Sequence, residues 1–247
     1  MKVKVQKGTE VLIVGDVHEH EQQVDDLLSQ IEPSENLLLG FVGDIYHKGP
    51  GNPESIIRKI KDRPDTFMIP GNHELKELSK AKKKKEYSEE LYWVRNLPLS
   101  ITFEFYNRTL LTMVHGGVLP SHTWHDLEHN VETAFIRTVD KDGKMVKLLK
   151  KVVDGKMTMV PAKPGKVWHE LYNGRFGYIV SGHDAQKDGL AKFYNFSCNL
   201  DSCVYHTGKL TAQYFSENGK GEMITVNGPA TYPDLDEMYR LMAEGQI

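Results

Sequence analysis

Five separate apolar, strand-like runs in this 247-residue chain lead directly into a glycine-flanked residue of metal-ligand type. Leu37 to Val42 ends in Gly43-Asp44, with Ile45-Tyr46-His47-Lys48-Gly49-Pro50 behind it. Val11 to Val14 runs into Gly15-Asp16-Val17-His18, and Thr66 to Ile69 into Pro70-Gly71-Asn72-His73-Glu74. Leu110 to Val114 runs into His115-Gly116-Gly117, and Tyr178 to Val180 into Ser181-Gly182-His183-Asp184. Short apolar runs bounded by turn residues read as buried strands, so each Asp, Asn or His sits where a strand leaves the core. In open α/β sheets that carboxyl edge is where ligands bind. Glycine beside the ligand lets the backbone crowd close to whatever is held there. Any fold for this chain has to bring five strand ends to one edge.

Helical patterns fill the gaps between the early strands. Glu19 to Ile31 carries Val24, Leu27, Leu28 and Ile31 at helical spacing, with Pro33 as its stop. Asn52-Pro53-Glu54 reads as an N-cap with proline at the first helical position, followed by Ile56, Ile57 and Ile60. Alternation of strand and helix through residue 70 is what parallel βαβ units require. Glu74 to Asn96 reads as one long or broken helix, and its Lys80 and Lys82 to Lys85 form either a solvated face or a landing strip for a polyphosphate or RNA tail. Ile101 to Tyr106 and Thr109 to Val114 form a hairpin around Asn107-Arg108.

Residues 119–166 read as an insert expected to cap the metal edge within a single domain, 1–247. It comprises a helical stretch at Ser121 to Val139, two short strands around Asp154-Gly155, and a loop from Pro161 to Gly165. Trp168 and Tyr172 either pack on one helix face or form a substrate wall. Strands are expected at Tyr194 to Cys198, Val204-Tyr205, Lys209 to Phe215 and Met223 to Val226, then a helix over Asp234 to Ala243.

With 31 basic and 34 acidic side chains the formal net charge is −3, so no overall field draws in nucleic acid or an anionic membrane. A polyanion has to be held locally, and neither a stable nucleic-acid partner nor a membrane is expected. Cys198 and Cys203 are too few for a disulfide framework and their spacing fits no common zinc motif. They read as buried free thiols. With no signal-peptide pattern ahead of them, a cytoplasmic setting is expected.

The five motifs, in this order, resemble the calcineurin-like two-metal phosphoesterases, the superfamily of the Ser/Thr protein phosphatases, and within it the ApaH-like phosphatase branch. Lys48-Gly49-Pro50 stands in the segment where protein phosphatases carry Asp-Arg-Gly, with Lys48 in place of the Arg, and Gly182-His183-Asp184-Ala185 where they carry Gly-His-Thr. Leu200-Asp201-Ser202 with Gly208-Lys209-Leu210-Thr211-Ala212 is similar to a late segment of the ApaH-like branch. The resemblance implies an α/β, four-layer αββα sandwich of two central mixed sheets flanked by helices. It implies two divalent metal ions, Mn first, with Fe, Zn or Co as options. Asp16, His18 and Asp44 would hold one ion, and Asp44, Asn72, His115 and His183 the other, around water that attacks a phosphoanhydride.

Asp44 bridges in that scheme, and His73 is the candidate acid for the leaving group. Lys48, Asn72 and Arg175 are the candidate phosphate contacts, with Arg95 as a further option. Substrates of the implied type are dinucleoside polyphosphates, RNA 5′ ends or inorganic polyphosphate. A Ser/Thr phosphoprotein phosphatase and a non-catalytic interaction module on the same fold are the alternatives. Two departures from the family pattern stand out. His47 takes the place of the Asp that supports the acid in protein phosphatases. Glu19 stands where the family has Gly, and is expected to point outward and complement the positive end of the following helix.

Overall fold

The computed structural model describes residues 1–32, 34–153 and 156–243. Pro33 and Asp154-Gly155, expected to stop the first helix and to turn a hairpin, lie outside the described residues. Two mixed sheets face each other. In one, the order is Gly219–Asn227, Lys209–Ser216, Glu10–Val14, Leu37–Phe41, Thr66–Met68, the last three strands parallel. In the other, it is Lys2–Lys4, Ser100–Glu104, Leu110–Val114, Tyr178–Ser181, Ser197–Asn199, Lys192–Phe193, with Leu110–Val114, Tyr178–Ser181 and Ser197–Asn199 parallel.

The period-two alternation of a strand shows how the layers stack. Val11 and Ile13 face Ile101, Phe103, Leu111, Met113 and Val180 across the sandwich. Leu12 and Val14 turn the other way, with Leu39, Phe41 and Met68, onto helices Glu21–Ser29, Pro53–Asp62, Asn72–Lys84 and Glu89–Val94. Strands buried on both faces are uniformly apolar, which is why these runs show no polar alternation. On the outer side of the second sheet, Val114 and Ile179 are covered by Leu127, Ile136, Val139, Trp168, Tyr172 and Phe176. The architecture is therefore the four-layer αββα sandwich.

Of the two forms expected over Glu74 to Asn96 the structure has the broken one, helices Asn72–Lys84 and Glu89–Val94 interrupted at Lys85, which adopts φ 58°. Other local expectations change. Residues 121–139 form the helix Trp124–His129, a single 3-10 turn Val131–Ala134 and the short strand Thr138–Val139. Val204-Tyr205 is not a strand; it opens the one-turn helix Val204–Thr207. The Asp201 Oδ1 accepts the Cys203 N–H at 2.9 Å and Cys203 takes φ 56°, a local turn that extended backbone cannot accommodate. Trp168 and Tyr172 are buried and pack edge to face at 5.9 Å, so they are core and not a substrate wall. Cys198 and Cys203 are buried free thiols. No helix among the described residues is long and apolar enough to cross a membrane.

Candidate metal centre

Three parallel strands of each sheet end at one common edge. Glu10–Val14, Leu37–Phe41 and Thr66–Met68 deliver Asp16 and His18, Asp44, and Asn72 and His73. Leu110–Val114, Tyr178–Ser181 and Ser197–Asn199 deliver His115, His183 and Asp201. The ligand loops are sewn together by backbone hydrogen bonds. The His18 N–H donates to the Asp44 carbonyl at 2.8 Å and the Gly182 N–H to the His115 carbonyl at 2.9 Å. The Asp16 carboxylate accepts the His183 N–H at 3.0 Å, and Asp44 Oδ1 accepts the His73 N–H at 3.0 Å.

All six sequence-expected ligands come together, and all but Asn72 are buried. Among the described residues two groups offer ligand atoms within 4.8 Å of one another, His18 with Asp44 and His73, and Asp44 with His115 and His183. Asp44 belongs to both. His18 Nε2 lies 3.8 Å from Asp44 Oδ2 and 3.9 Å from Asp16 Oδ2. His115 Nε2 lies 3.2 Å from Asp44 Oδ1 and 3.2 Å from Asn72 Oδ1.

The outer nitrogens of these rings show what the inner ones are for. His115 Nδ1 is 2.7 Å from the Val42 carbonyl and His18 Nδ1 is 3.1 Å from that of His47. Carbonyls only accept, so those nitrogens carry the hydrogens and the Nε2 lone pairs face inward, the tautomer metal-binding imidazoles use. His183 is held by Arg137, whose guanidinium donates to its carbonyl at 2.8 Å, while its Nε2 is buried with no hydrogen-bond partner among the described residues. Lone pairs from His115, Asn72 and Asp44 meeting at 3.2 Å repel unless a positive charge lies among them. Burial opposes protonation of His115, yet Asp44 raises its pKa, the same demand for a cation expressed on a proton. Burial also works on Asp44, but the surrounding His115, His73 and His18 hold its carboxyl well below the usual range. The residues present fit divalent metal ions.

Strain gathers at the same edge. Of ten described non-glycine residues with positive φ, six are His18, Glu19, Asp44, His47, Lys48 and His183. Such conformations cost roughly 1–3 kcal/mol each and persist only where neighbours enforce them. Gly71 and Gly182 let the loops approach: a Cβ on the first would strike the Asp44 carboxylate, and on the second that of Asp16. Glu19 has φ 61°, which accounts for the family glycine there. Its carboxylate does not serve the following helix; it accepts the Gly49 N–H at 3.2 Å and so braces the Lys48 loop.

Much of the enforcement comes from Glu74, fully buried one turn into the helix Asn72–Lys84. Its two oxygens accept the N–H groups of Gly71 and Asp44 at 2.7 Å each, Ile45 at 2.7 Å and Tyr46 at 3.1 Å. Burial, with Asp44 adjacent, pushes its carboxyl up to about 7 while the N–H bonds pull it down; the ionised form is the one that satisfies every donor. Glu74→Leu keeps the bulk and leaves four N–H groups without acceptors, at roughly 1–3 kcal/mol apiece. We expect a melting temperature lowered by more than 10 °C, on the order of 4 kcal/mol for a chain of this size, with metal affinity lost alongside. An unchanged melting curve would show that Glu74 is not the brace.

The candidate anion contacts divide. Lys48 is half-buried at the metal edge, with its ammonium 4.2 Å above the Tyr205 ring. Burial lowers its pKa, while Asp44, Asp201 and Asp16 oppose the shift. Arg175 is turned to the backbone: its guanidinium donates to the carbonyls of Leu119 and Pro120 and lies over Phe176 at 4.7 Å. Arg95 lies over Tyr87 at 5.5 Å. The cation the sequence reading missed is Arg137, which reaches His183 and lies 3.7 Å from Asp184. No spacing rule points to it, because it lies between the turn Val131–Ala134 and the strand Thr138–Val139 and follows no apolar strand run. Asp201 was also missed as a site residue, although Ser197 to Leu200 leads into it much as the other strands lead into theirs. Burial, Asp201 and Asp44 together push the Asp16 carboxyl well above its ordinary value.

Comparison with known proteins agrees with this geometry. Residues 9–187 match the calcineurin-like phosphoesterase family. Symmetrical bis(5′-nucleosyl)-tetraphosphatases of Coxiella burnetii are 28% identical over 155 residues, 56% of this chain and 51% of theirs. The chain thus spans about half the length of the curated relatives it matches. A crystal structure described as a "putative diadenosine tetraphosphatase" superposes with TM-score 0.68 at 28% identity, covering 92% of this chain and 98% of that one. A metallophosphoesterase from Sphaerobacter thermophilus superposes with TM-score 0.52 at 14% identity, covering 96% and 95%, a likeness of fold alone. With the family matched over most of its length, the chain belongs to the calcineurin-like phosphoesterases.

Proposed function

We propose that the chain is a metal-dependent phosphohydrolase that cleaves phosphoanhydride bonds, with dinucleoside polyphosphates as its substrate class. The observation that carries this is Asp44 shared between two ligand groups, with the ammonium of Lys48 beside them. Asp16, His18 and Asp44 would hold one ion, and Asp44, Asn72, His115 and His183 the other. A mixed imidazole and carboxylate set suits Mn, Fe, Co or Zn over Mg or Ca, and Mn is our choice. When bound, such a pair supplies an activated water and neutralises phosphoryl charge.

The chain's own groups do the remainder. His73 is mostly buried, its side chain 14% exposed, with Nε2 3.9 Å from Asp44 Oδ2, where it can pass a proton to the leaving oxygen of a substrate held at that edge. Lys48 is a point charge that can sit between neighbouring phosphates, whereas the Arg137 fork suits two oxygens of one phosphoryl group. RNA 5′ ends and inorganic polyphosphate carry the same linkage and extend the proposal, as does a cytoplasmic setting, supported by two buried thiols left unpaired.

Lys48→Ala separates chain recognition from chemistry. Loss of one charge-assisted contact, roughly 1.5–3 kcal/mol, is expected to lower kcat/KM on diadenosine tetraphosphate about 10- to 100-fold. The loss on p-nitrophenyl phosphate should be several-fold smaller, and Lys48→Arg should recover only part of the activity on the longer substrate. Equal losses on both substrates would assign Lys48 to the reacting phosphoryl group alone. A phosphoserine peptide turned over with higher kcat/KM than diadenosine tetraphosphate would overturn the anhydride assignment.

A further inference from the structure

The acid His73 lacks the carboxylate that its counterparts in protein phosphatases lean on, and the structure shows what stands there. His73 and Glu77 are four apart on the helix Asn72–Lys84, so both project from one face. The His47 ring sits between them. Its Nδ1 is 2.7 Å from His73 Nδ1 and its Nε2 is 2.7 Å from Glu77 Oε1. Lys80, three residues further along that face, donates to the same Glu77 oxygen at 2.6 Å. The two imidazoles lie 4.9 Å apart at 56°.

We propose that Glu77 and His47 form a relay that positions His73: the supporting carboxylate is present, displaced outward by one imidazole. This rests on His73 being the proton donor. The hydrogen accounting follows from the contacts. A carboxylate oxygen only accepts, so His47 Nε2 carries a hydrogen. With that hydrogen in place, the lone pair of neutral His47 is on Nδ1 and accepts from His73 Nδ1–H. His73 is thereby held with Nε2 directed at Asp44 and the substrate side. In the chemical step a water oxygen bonds to phosphorus and gives a proton to solvent, the P–O bond to the leaving group breaks with its electron pair going to the leaving oxygen, and His73, held as an imidazolium beside the phosphate charge, passes its Nε2 proton to that oxygen. His73 is left neutral and still donates from Nδ1 to His47. Arrangements that fix a catalytic or ligating imidazole in this way are typically worth about 10- to 100-fold.

His47 has φ 70°, a conformation Asn tolerates and Phe does not, so Glu77, on a regular helix, provides the safer variant. The test compares aryl phosphates. Phenyl phosphate needs its leaving oxygen protonated; dinitrophenyl phosphate, whose phenol is far more acidic, does not. Manganese-loaded Glu77→Ala and His47→Gly proteins are expected to lose about 10- to 100-fold in kcat on phenyl phosphate and less than about threefold on dinitrophenyl phosphate. His47→Asn, which keeps an acceptor near the Nδ1 position, is expected to recover part of the loss. Metal content should match the parent protein throughout. His73→Asn is run alongside. Should it show the selective loss while the Glu77 and His47 variants lose equally on both esters or on neither, the relay is overturned and the acid stands. Should His73→Asn itself lose equally on both, the acid assignment fails, and the relay with it.

Discussion

Asp44→Asn protein is expected to fold, to lose at least one metal ion, and to fall in hydrolytic activity by more than about 10³-fold, beyond the 10²–10³ typical of removing one charge-stabilising donor. The reasoning is geometric. Asp44 Oδ1 faces His115 Nε2 at 3.2 Å while Oδ2 faces His18 at 3.8 Å and His73 at 3.9 Å, so a single carboxylate serves both ligand groups. An amide in its place removes the negative charge and turns an N–H₂ toward one set of lone pairs. Asparagine is the informative substitution because Asp44 has φ 52°, which Asn adopts with little strain and Ala does not. A drop in metal content with a near-parental melting curve is the expected combination. Parental activity in purified, metal-loaded Asp44→Asn protein would mean that the shared carboxylate is not the core of the site.

The second large effect belongs to His73. His73→Asn is expected to lower kcat on diadenosine tetraphosphate by about 10² to 10⁴, with metal content close to parental. The structure makes the second half of that expectation demanding, since His18, Asp44 and His73 present ligand atoms within 4.8 Å, close enough for His73 to be a ligand itself. What argues for the acid is its partial exposure, 14% against 1% for His18, and its Nδ1 contact with His47, which leaves Nε2 on the Asp44 side. Burial pushes the His73 pKa down to about 3, with Lys48, His47 and His115 adding to the fall and Asp44 opposing it, so the ring by itself is neutral at pH 7 and acts as an acid only where the negative charge of a substrate phosphate raises that pKa. Metal loss in His73→Asn protein, measured by elemental analysis after desalting, would move His73 from the acid role into the ligand set.

What the sequence disclosed follows from where its signals are local. The proposed ligands Asp16, Asp44, His115 and His183 each follow an apolar run and sit beside glycine, so a single stretch carries both the strand and the residue it delivers. The helix Pro53–Asp62 was legible for the same reason: Asn52 accepts the Glu54 and Ser55 N–H groups and Pro53 opens the turn, all within four residues. The features that escaped depend on partners far apart in the chain. Glu74 reads as an ordinary helical residue until Asp44, Ile45 and Tyr46 are placed against it. Arg137 gains meaning only beside His183, and Glu77 only beside His47. Nor does the sequence around Arg175 show that its guanidinium turns to the Leu119 and Pro120 carbonyls, more than fifty residues away.

The most direct test of the central claim is a metal titration read by both content and turnover. Chelator-treated protein should hydrolyse no diadenosine tetraphosphate. Stepwise addition of manganese, followed by removal of the unbound ion, should restore activity in parallel with uptake that levels off at two ions per chain, one for each ligand group around Asp44. Turnover that survives chelation, or that is complete with a single ion per chain, would contradict a shared two-metal centre.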